Sequence, residues 1–217
     1  MSGEHMKQFV YAALLTLSLS IAANAAAKAK PVAAAASASA LAPGVYDIDP
    51  MHSSINFEIP HLVISSVEGK FKTFSGKVTS DGKFINSKVE AEADIASIDT
   101  SVTDRDNHLK SPDFFDAAKY PKMTFKTTSI TGNEKSFKLI GDLTIKSTTK
   151  KVTFTGSYKG AVKDAYGNNK IAFVAEAKIN RQDYGLTWSK AVEAGPVVGD
   201  EVTITLKIQA AQQAAKK

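Results

Sequence analysis

The chain has 217 residues, 43% of them hydrophobic and 23% charged, which suits one ordinary core plus an N-terminal extension and calls for no second domain. Its 27 Lys and Arg against 22 Asp and Glu leave a net charge of +5, but the basic residues are spread along alternating segments and form no clustered, aromatic-interleaved surface, so nucleic acid is set aside as a partner. With no cysteine, disulfides, thiol nucleophiles, Cys-ligated metals and a lipidated N-terminal Cys are all ruled out.

Lys7 precedes an uncharged run from Phe9 to Ala23, and Ala23-Asn24-Ala25 supplies the small-x-small pattern that a signal peptidase cuts. Residues 1–25 are read as a secretory signal peptide cleaved after Ala25, with Met6 a better start than Met1 because Glu4 dilutes the positive leading region. The competing reading is an uncleaved anchor, since the uncharged stretch extends to Ala27, close to the roughly 20 residues of a spanning helix. Its Ala-rich second half makes a poor anchor. Residues 26–43 are low-complexity Ala, Lys, Pro and Ser and read as a linker. Fold reasoning starts near Gly44 and ends at residue 210, leaving 211–217 as a polar tail.

From Ser53 onward apolar and polar residues alternate at period two, as strands with one buried and one wet face do. Ile55, Phe57 and Ile59 begin the series; Val89, Ala91, Ala93 and Ile95 follow. Asp104 to Lys119 breaks the period, with Leu109, Phe114 and Phe115 among charged residues and Ser111-Pro112 in the middle. It reads as short helical turns that either cover one mouth of a barrel or simply cross between strands. Met123 and Phe125 give a short strand, then Phe137 to Ile145, Val152 to Tyr158, Ile171 to Ile179 and Val202 to Ile208 complete the pattern. Asp81-Gly82, Gly132-Asn133 and Tyr166-Gly167-Asn168-Asn169 supply turn chemistry between runs. The expectation is an all-β fold of about eight antiparallel strands, closed into a barrel because closure removes exposed edges.

Several inward positions are small: Ala91, Ala93, Gly141, Gly156, Ala175 and Ala177. Small interior residues leave volume, which favours a cavity whose Phe, Ile, Leu, Val and Ala walls suit a long apolar occupant. The alternative is that large side chains from facing strands fill the gaps.

Tyr46-Asp47-Ile48-Asp49 with His52-Ser53, His61-Leu62 and Val67-Glu68-Gly69 with Phe71 open an ordered series of motifs. It continues through Ser97-Ile98-Asp99-Thr100, Arg105-Asp106, His108-Leu109-Lys110-Ser111, Asp113-Phe114-Phe115-Asp116 and Lys119-Tyr120-Pro121. Leu143-Thr144-Ile145, Arg181 with Asp183-Tyr184-Gly185, and Gly199-Asp200-Glu201-Val202 end it. In order and spacing this series resembles the YceI-like family of polyisoprenoid-binding proteins, over Val45 to Ile208. The chain departs from that pattern with Tyr46 in place of Trp, Val63 in place of Gly and Tyr184 in place of Phe; Val63 bears on the local turn.

The resemblance implies an eight-stranded, lipocalin-like antiparallel barrel with a short helical segment near one mouth, export to the periplasm, and an isoprenoid or isoprenoid quinone lying along an apolar interior without a cofactor. Phe57, Phe71, Ile95, Leu109, Phe114, Phe115, Phe125, Leu143, Phe154 and Phe173 are the candidate wall. His52, Arg105, Asp106, His108, Arg181, Asp183 and Tyr184 are the candidate mouth or head-group residues, since a guanidinium offers fixed donors to a phosphate or quinone oxygen. The competing role of the Arg and Asp pairs is to fix the helical segment onto the barrel.

His52, His61 and His108 show no metal-ligand spacing, and the chain has no HExxH, no EF-hand loop and no phosphate loop. His52 and Ser53 are neighbours in a strand and project to opposite faces, which argues against a nucleophile–base pair. A Ser assembled with His108 and Asp106 would lack a nucleophile elbow. The reading is therefore a binding protein and no enzyme, with transient membrane-surface contact and a homodimer as further partners. The alternative is a hydrolase or isomerase of a lipid-like substrate, which needs His108 or His52 at the mouth. A stress-protection role with an incidental barrel is a third reading.

Overall fold

The computed structural model of the protein describes residues 41–192 and 195–214. The signal peptide, its cleavage site, the linker up to residue 40 and the last residues of the tail lie outside the described residues.

Among the described residues, thirteen strands and one α-helix follow in chain order. They are β1 (Gly44–Ile48), β2 (Ser54–His61), β3 (Ser65–Phe71), β4 (Phe74–Ser80), β5 (Lys88–Asp94), β6 (Ile98–Asp99), α1 (Thr103–Lys110), β7 (Lys122–Asn133), β8 (Ser136–Ile145), β9 (Thr148–Lys163), β10 (Asn169–Asn180), the small pair β11 (Ala191–Val192) and β12 (Gly195–Pro196), and β13 (Glu201–Gln212). The main sheet runs β1-β4-β5-β7-β8-β9-β10-β13 and closes because β13 pairs back onto β1. The result is a closed eight-stranded antiparallel barrel with one short helix.

The strand count reconciles with the larger number of segments because three barrel strands are bent in two. Strand β13 holds β1 near its end, through Ala210 to Gln212, and β2 near its start, through Thr203 to Lys207. Both partners run antiparallel to it, so β1 and β2 are two halves of one strand interrupted at residues 49–53. Strands β3 and β4 are likewise halves of one strand, paired to β2 and β1 respectively. Strand β5 continues as β6, which pairs with β3 only through Asp99 and Ile98.

Each bend slips the side-chain phase. Tyr46 and Ile48 point inward from even positions, whereas Ile55 and Phe57 do so from odd ones; Phe71 is followed by Phe74 and Val78 in the same way. A one-residue slip exchanges the faces of a strand, so an interruption must restore the inward set. Bulges at Thr127/Ser129 in β7 and opposite Ala172/Phe173 between β9 and β10 do the same on the other side of the barrel. The turn signals hold: Gly82, Gly132 and Gly167 sit at φ of 95°, 91° and 86°.

The turns β4–β5, β7–β8 and β9–β10 lie at one end, the floor. Leu41, Phe137 and Tyr158 are buried there, and Phe84, on the one-turn helix between β4 and β5, stacks 5.2 Å from the Phe137 ring and 5.7 Å from that of Tyr158. Leu41 is 4% exposed and the Ala42 carbonyl accepts from the Tyr46 hydroxyl at 2.9 Å, so packing begins inside the segment assigned to the linker. Late in the chain, Ala211 and Gln212, assigned to the polar tail, pair with β1 at the same end.

The small interior residues do not simply leave empty space. Gly69 lies opposite Phe57 and Gly156 opposite Phe137 in the strand register, and a Cβ on Gly156 would stand 2.7 Å from the Phe137 ring. A Cβ on Gly141 would meet the Phe125 ring and, at 2.6 Å, the Lys126 carbonyl. These glycines let an aromatic ring lie flat across the neighbouring strand. The floor half of the barrel is therefore largely filled, as a packed interior requires.

Candidate functional site

The volume that remains is at the other end. A cavity of about 430 Å³ opens among β2, β3, α1, the turn carrying Phe114 and Phe115, and the connection from β10 to β13. It lies within the usual few-hundred-Å³ range of small-molecule sites. In this half the sheet is closed only by the two β3–β6 residue pairs, and α1 with the turns behind it covers the rest. The irregular segment after β6 thus both crosses between strands and covers the mouth.

The walls are apolar: Ile55, Phe57, Val67, Phe71, Ile98, Leu109, Phe114, Phe115, Met123 and Ile204 contribute, with Leu186 and Trp188 from the β10–β13 connection. The Phe71 and Phe115 rings meet edge to face at 6.2 Å, and the Trp188 ring lies 5.2 Å from that of Phe114. Two smaller voids follow toward the floor. One of about 80 Å³ shares Ile55, Met123 and Ile204 with the large cavity; the next, of about 30 Å³, shares Val89, Leu139 and Phe173 with the second.

The candidate wall residues divide among these spaces. Phe57, Phe71, Leu109, Phe114 and Phe115 line the large cavity. Phe125, Leu143, Phe154 and Phe173 line the second, with the Phe125 and Phe154 rings edge to face at 5.4 Å. Ile95 lines none of them: it sits 1% exposed in the short helical turn after β5, where it packs in the core.

Among the mouth candidates, Arg105, His108 and Arg181 reach the cavity wall. His108 is held edge-on between the Phe114 and Trp188 rings at 5.0 and 5.1 Å, with Nε2 2.9 Å from Asp113 Oδ2. Arg105 donates from Nε to Thr100 Oγ1 and from Nη2 to the Thr100 carbonyl, both at 2.7 Å, and makes no ion pair among the described residues. Its Nη1 group makes no hydrogen bond among the described residues.

Arg181 is differently used. Nε donates to the Gly199 carbonyl at 2.8 Å, Nη1 to the carbonyls of Leu186 and Trp188, and Nη2 to Asp200 at 3.1 Å. Its side chain is 3% exposed and four of its five N–H donors already have acceptors, so its main role is to tie the β10–β13 connection shut. Its acidic partner is Asp200, whereas Asp183 is exposed and away from the cavity wall.

Asp106 accepts from the Thr100 amide and hydroxyl at 2.8 and 2.6 Å, fixing the start of α1 to β6. Tyr184 is 2% exposed, off the cavity wall, and burial followed by the charge of Asp183 pushes its hydroxyl up to about 12. His52 lies on the outer flank, at the interruption between β1 and β2, where Nδ1 is 2.8 Å from Asp49. Asp106, Asp183, Tyr184 and His52 thus do not line the cavity.

The nucleophile readings also meet occupied groups. The Ser53 hydroxyl donates to the Gln209 carbonyl and accepts from its amide, and His108 faces Asp113 while Asp106 serves Thr100. Among the described residues no three His, Asp or Glu side chains gather at metal-binding distance.

Several wall residues escaped the sequence reading. Ile55, Ile59, Val202 and Ile204 carry the same period-two signal as Phe57 and could have been taken with it. Leu186, Trp188, Val197 and Val198 come from a connection without periodicity, so no pattern announces them.

Residues 46–210 match the family model described as the YceI-like domain. A UPF0312 protein of Staphylococcus epidermidis is 39% identical over 155 residues, covering 70% of this chain and 88% of the relative. Protein YceI of Escherichia coli is 36% identical over 168 residues, 77% of this chain and 85% of its own. Among solved structures, the YCEI protein of Campylobacter jejuni superposes with a TM-score of 0.63 at 31% identity, over 71% of this chain and 90% of that one. A polyisoprenoid binding domain from Saccharophagus degradans shares the fold, with a TM-score of 0.57 at 15% identity over 77% of this chain and 98% of that one. The family model spans most of the barrel and the curated relatives are more than a third identical across it, so this chain belongs to the YceI-like domain family.

Proposed function

We propose that the protein is an exported, non-enzymatic carrier that holds the chain of a polyisoprenoid or isoprenoid quinone in the barrel, for storage, shielding or transport in the periplasm. The observation that carries this reading is the cavity of about 430 Å³, continued by narrower voids and walled by aromatic and aliphatic side chains. Burying an apolar chain there releases about 25 cal/mol per Å² of apolar surface. A charged occupant would lose its hydration without compensation along most of the wall. Arg105 is the cation placed to meet an anionic head group at the rim. The name of the Saccharophagus degradans neighbour points to the same ligand class.

A membrane-surface encounter completes the proposal. The β2–β3 tip beside the cavity exposes Val63 and Ile64, 68% and 89% accessible, and Leu62 and Val63 hold positive φ of 51° and 66°. A β-branched residue in that conformation is costly, and here it displays apolar surface at the rim through which a lipid would pass.

The test is native mass spectrometry of the mature protein purified from its host, followed by solvent extraction. A stoichiometric isoprenoid or quinone is the expected result. Protein that emerges empty and takes up no added polyprenol overturns the reading.

A further inference from the structure

Ile55, Met123 and Ile204 line both the large cavity and the void of about 80 Å³ behind it. Strand β7, which carries Met123, is fourth in the ring of eight strands, and β13, which carries Ile204, is eighth, so the two face each other across the barrel. Ile55 stands beside Ile204, on β2, since Ile204 pairs with Phe57 and Leu206 with Ile55. The three side chains therefore form a waist across the lumen. All are only partly buried although they point into the interior, because each borders open space.

The two sides of the waist differ in stiffness. Ile55 and Ile204 are β-branched, with restricted χ1, and are backed in the strand register by Leu206 and Phe57. Met123 is unbranched, with a polarizable thioether and several rotatable side-chain bonds. Its partner in the register is Ala93 on β5, and Ala91 and Ala93 both line the second void, so space stands beside Met123 for the thioether to fold aside. An apolar chain gains affinity with every carbon it buries, and the side chain at the waist decides whether carbons beyond it count. A fixed side chain there would impose one maximum length; a yielding one admits a range.

We infer that Met123 is the yielding gate of a chain-length sieve: a short prenyl chain ends in the large cavity, whereas a longer one displaces the Met123 side chain and runs on into the void behind the waist. The inference rests on the carrier reading and adds to it the residue that sets how long a chain the barrel accepts.

The experiment compares geraniol and hexaprenol, a short and a long prenol with the same head group, binding to delipidated wild-type protein and to Met123→Ile and Met123→Ala. Met123→Ile keeps an apolar side chain of similar size but stiffens it. Hexaprenol affinity is expected to fall about tenfold, the worth of roughly two buried methylene groups, with geraniol affinity unchanged. Met123→Ala removes the gate and should bind hexaprenol at least as tightly as the wild type. Equal hexaprenol affinity in wild type and Met123→Ile overturns the inference; so does weaker hexaprenol binding by both variants, which would make Met123 an ordinary wall contact. The wild type supplies a further readout that needs no substitution. Met1 and Met6 lie in the predicted signal peptide, so Met51, 86% exposed at the interruption between β1 and β2, and Met123 give the methionine methyl NMR signals of the exported protein. Hexaprenol should move the Met123 signal and leave that of Met51 in place. An unmoved Met123 signal in the hexaprenol complex overturns the inference and leaves the carrier reading standing. Failure of the wild type to bind either prenol overturns the carrier reading and the inference together.

Discussion

Every guanidinium nitrogen of Arg181 donates to an acceptor on the β10–β13 connection or just beyond it. Most acceptors are backbone carbonyls, and the Asp200 carboxylate is half exposed, so the carbonyl bonds dominate the energetics. Arg181→Lys keeps the charge but offers a single nitrogen; we expect a loss of about 2–3 kcal/mol in urea unfolding, and a loss under about 0.5 kcal/mol would show that the clamp contributes little. The sequence pairs Arg181 naturally with nearby Asp183, and the true partners lie at Leu186, Trp188, Gly199 and Asp200. Three of those are carbonyls, which no side-chain pattern reports.

Asp49 belongs to the same scale. Burial alone would raise its carboxyl, but bonds from His52, the Met51 amide and Gln209 outweigh that and hold it below the usual carboxylate range. A depressed folded value means stability that is complete above the ordinary carboxylate pKa of about 4 and is lost as pH falls through the folded value. The stability difference between wild type and Asp49→Asn should therefore be constant from neutrality to about pH 5 and shrink at lower pH, read as urea midpoints across a pH series. A difference that is flat with pH would remove the carboxylate from the account.

At the scale of elements, the barrel depends on rings lying over glycines. Gly141→Ala places a methyl group against the Phe125 ring and the Lys126 carbonyl, and because the backbone atom cannot give way we expect a loss of about 1–3 kcal/mol by chemical denaturation. An unchanged midpoint would mean the two strands separate freely. The same feature explains what the sequence conveyed and what it withheld. Alternation located β2, β5, β8, β9, β10 and β13, since each keeps one phase over most of its length. It passed over β1, β3 and β4, where phase changes at residues 49–53 and 72–73 and Gly69 and Gly76 stand at inward positions. It also misjudged Gly141 and Gly156, because a missing side chain reads as free volume until the ring that covers it is placed.

At the scale of the whole molecule, ligand and stability are linked. A lipid that binds the folded barrel and not the unfolded chain raises stability by about 2.7 kcal/mol at one hundred times its Kd, so the thermal midpoint should climb with added polyprenol and stay fixed with a short alcohol. Ile204 lines both the large cavity and the void behind it. Ile204→Phe should narrow that passage and shift binding toward shorter chains, seen as weakened affinity for long polyprenols beside unchanged affinity for geraniol. Loss of both would indicate a damaged barrel instead of a shortened one.

The seam along β13 divides the barrel's behaviour in time. Its end is locked to β1, which is itself paired to β4, while its start holds β2, whose partner β3 has only two residue pairs to β6 on its other side. The interruptions at residues 49–53 and 72–73 separate these two regions along both strands. Amide hydrogens of β3 and β6 should then exchange by local opening, orders of magnitude faster than those of β1 and β4, which wait for global unfolding. Loading would be a local event: substitutions that reinforce the floor would lengthen the life of the folded protein while leaving the rate of lipid exchange as it was.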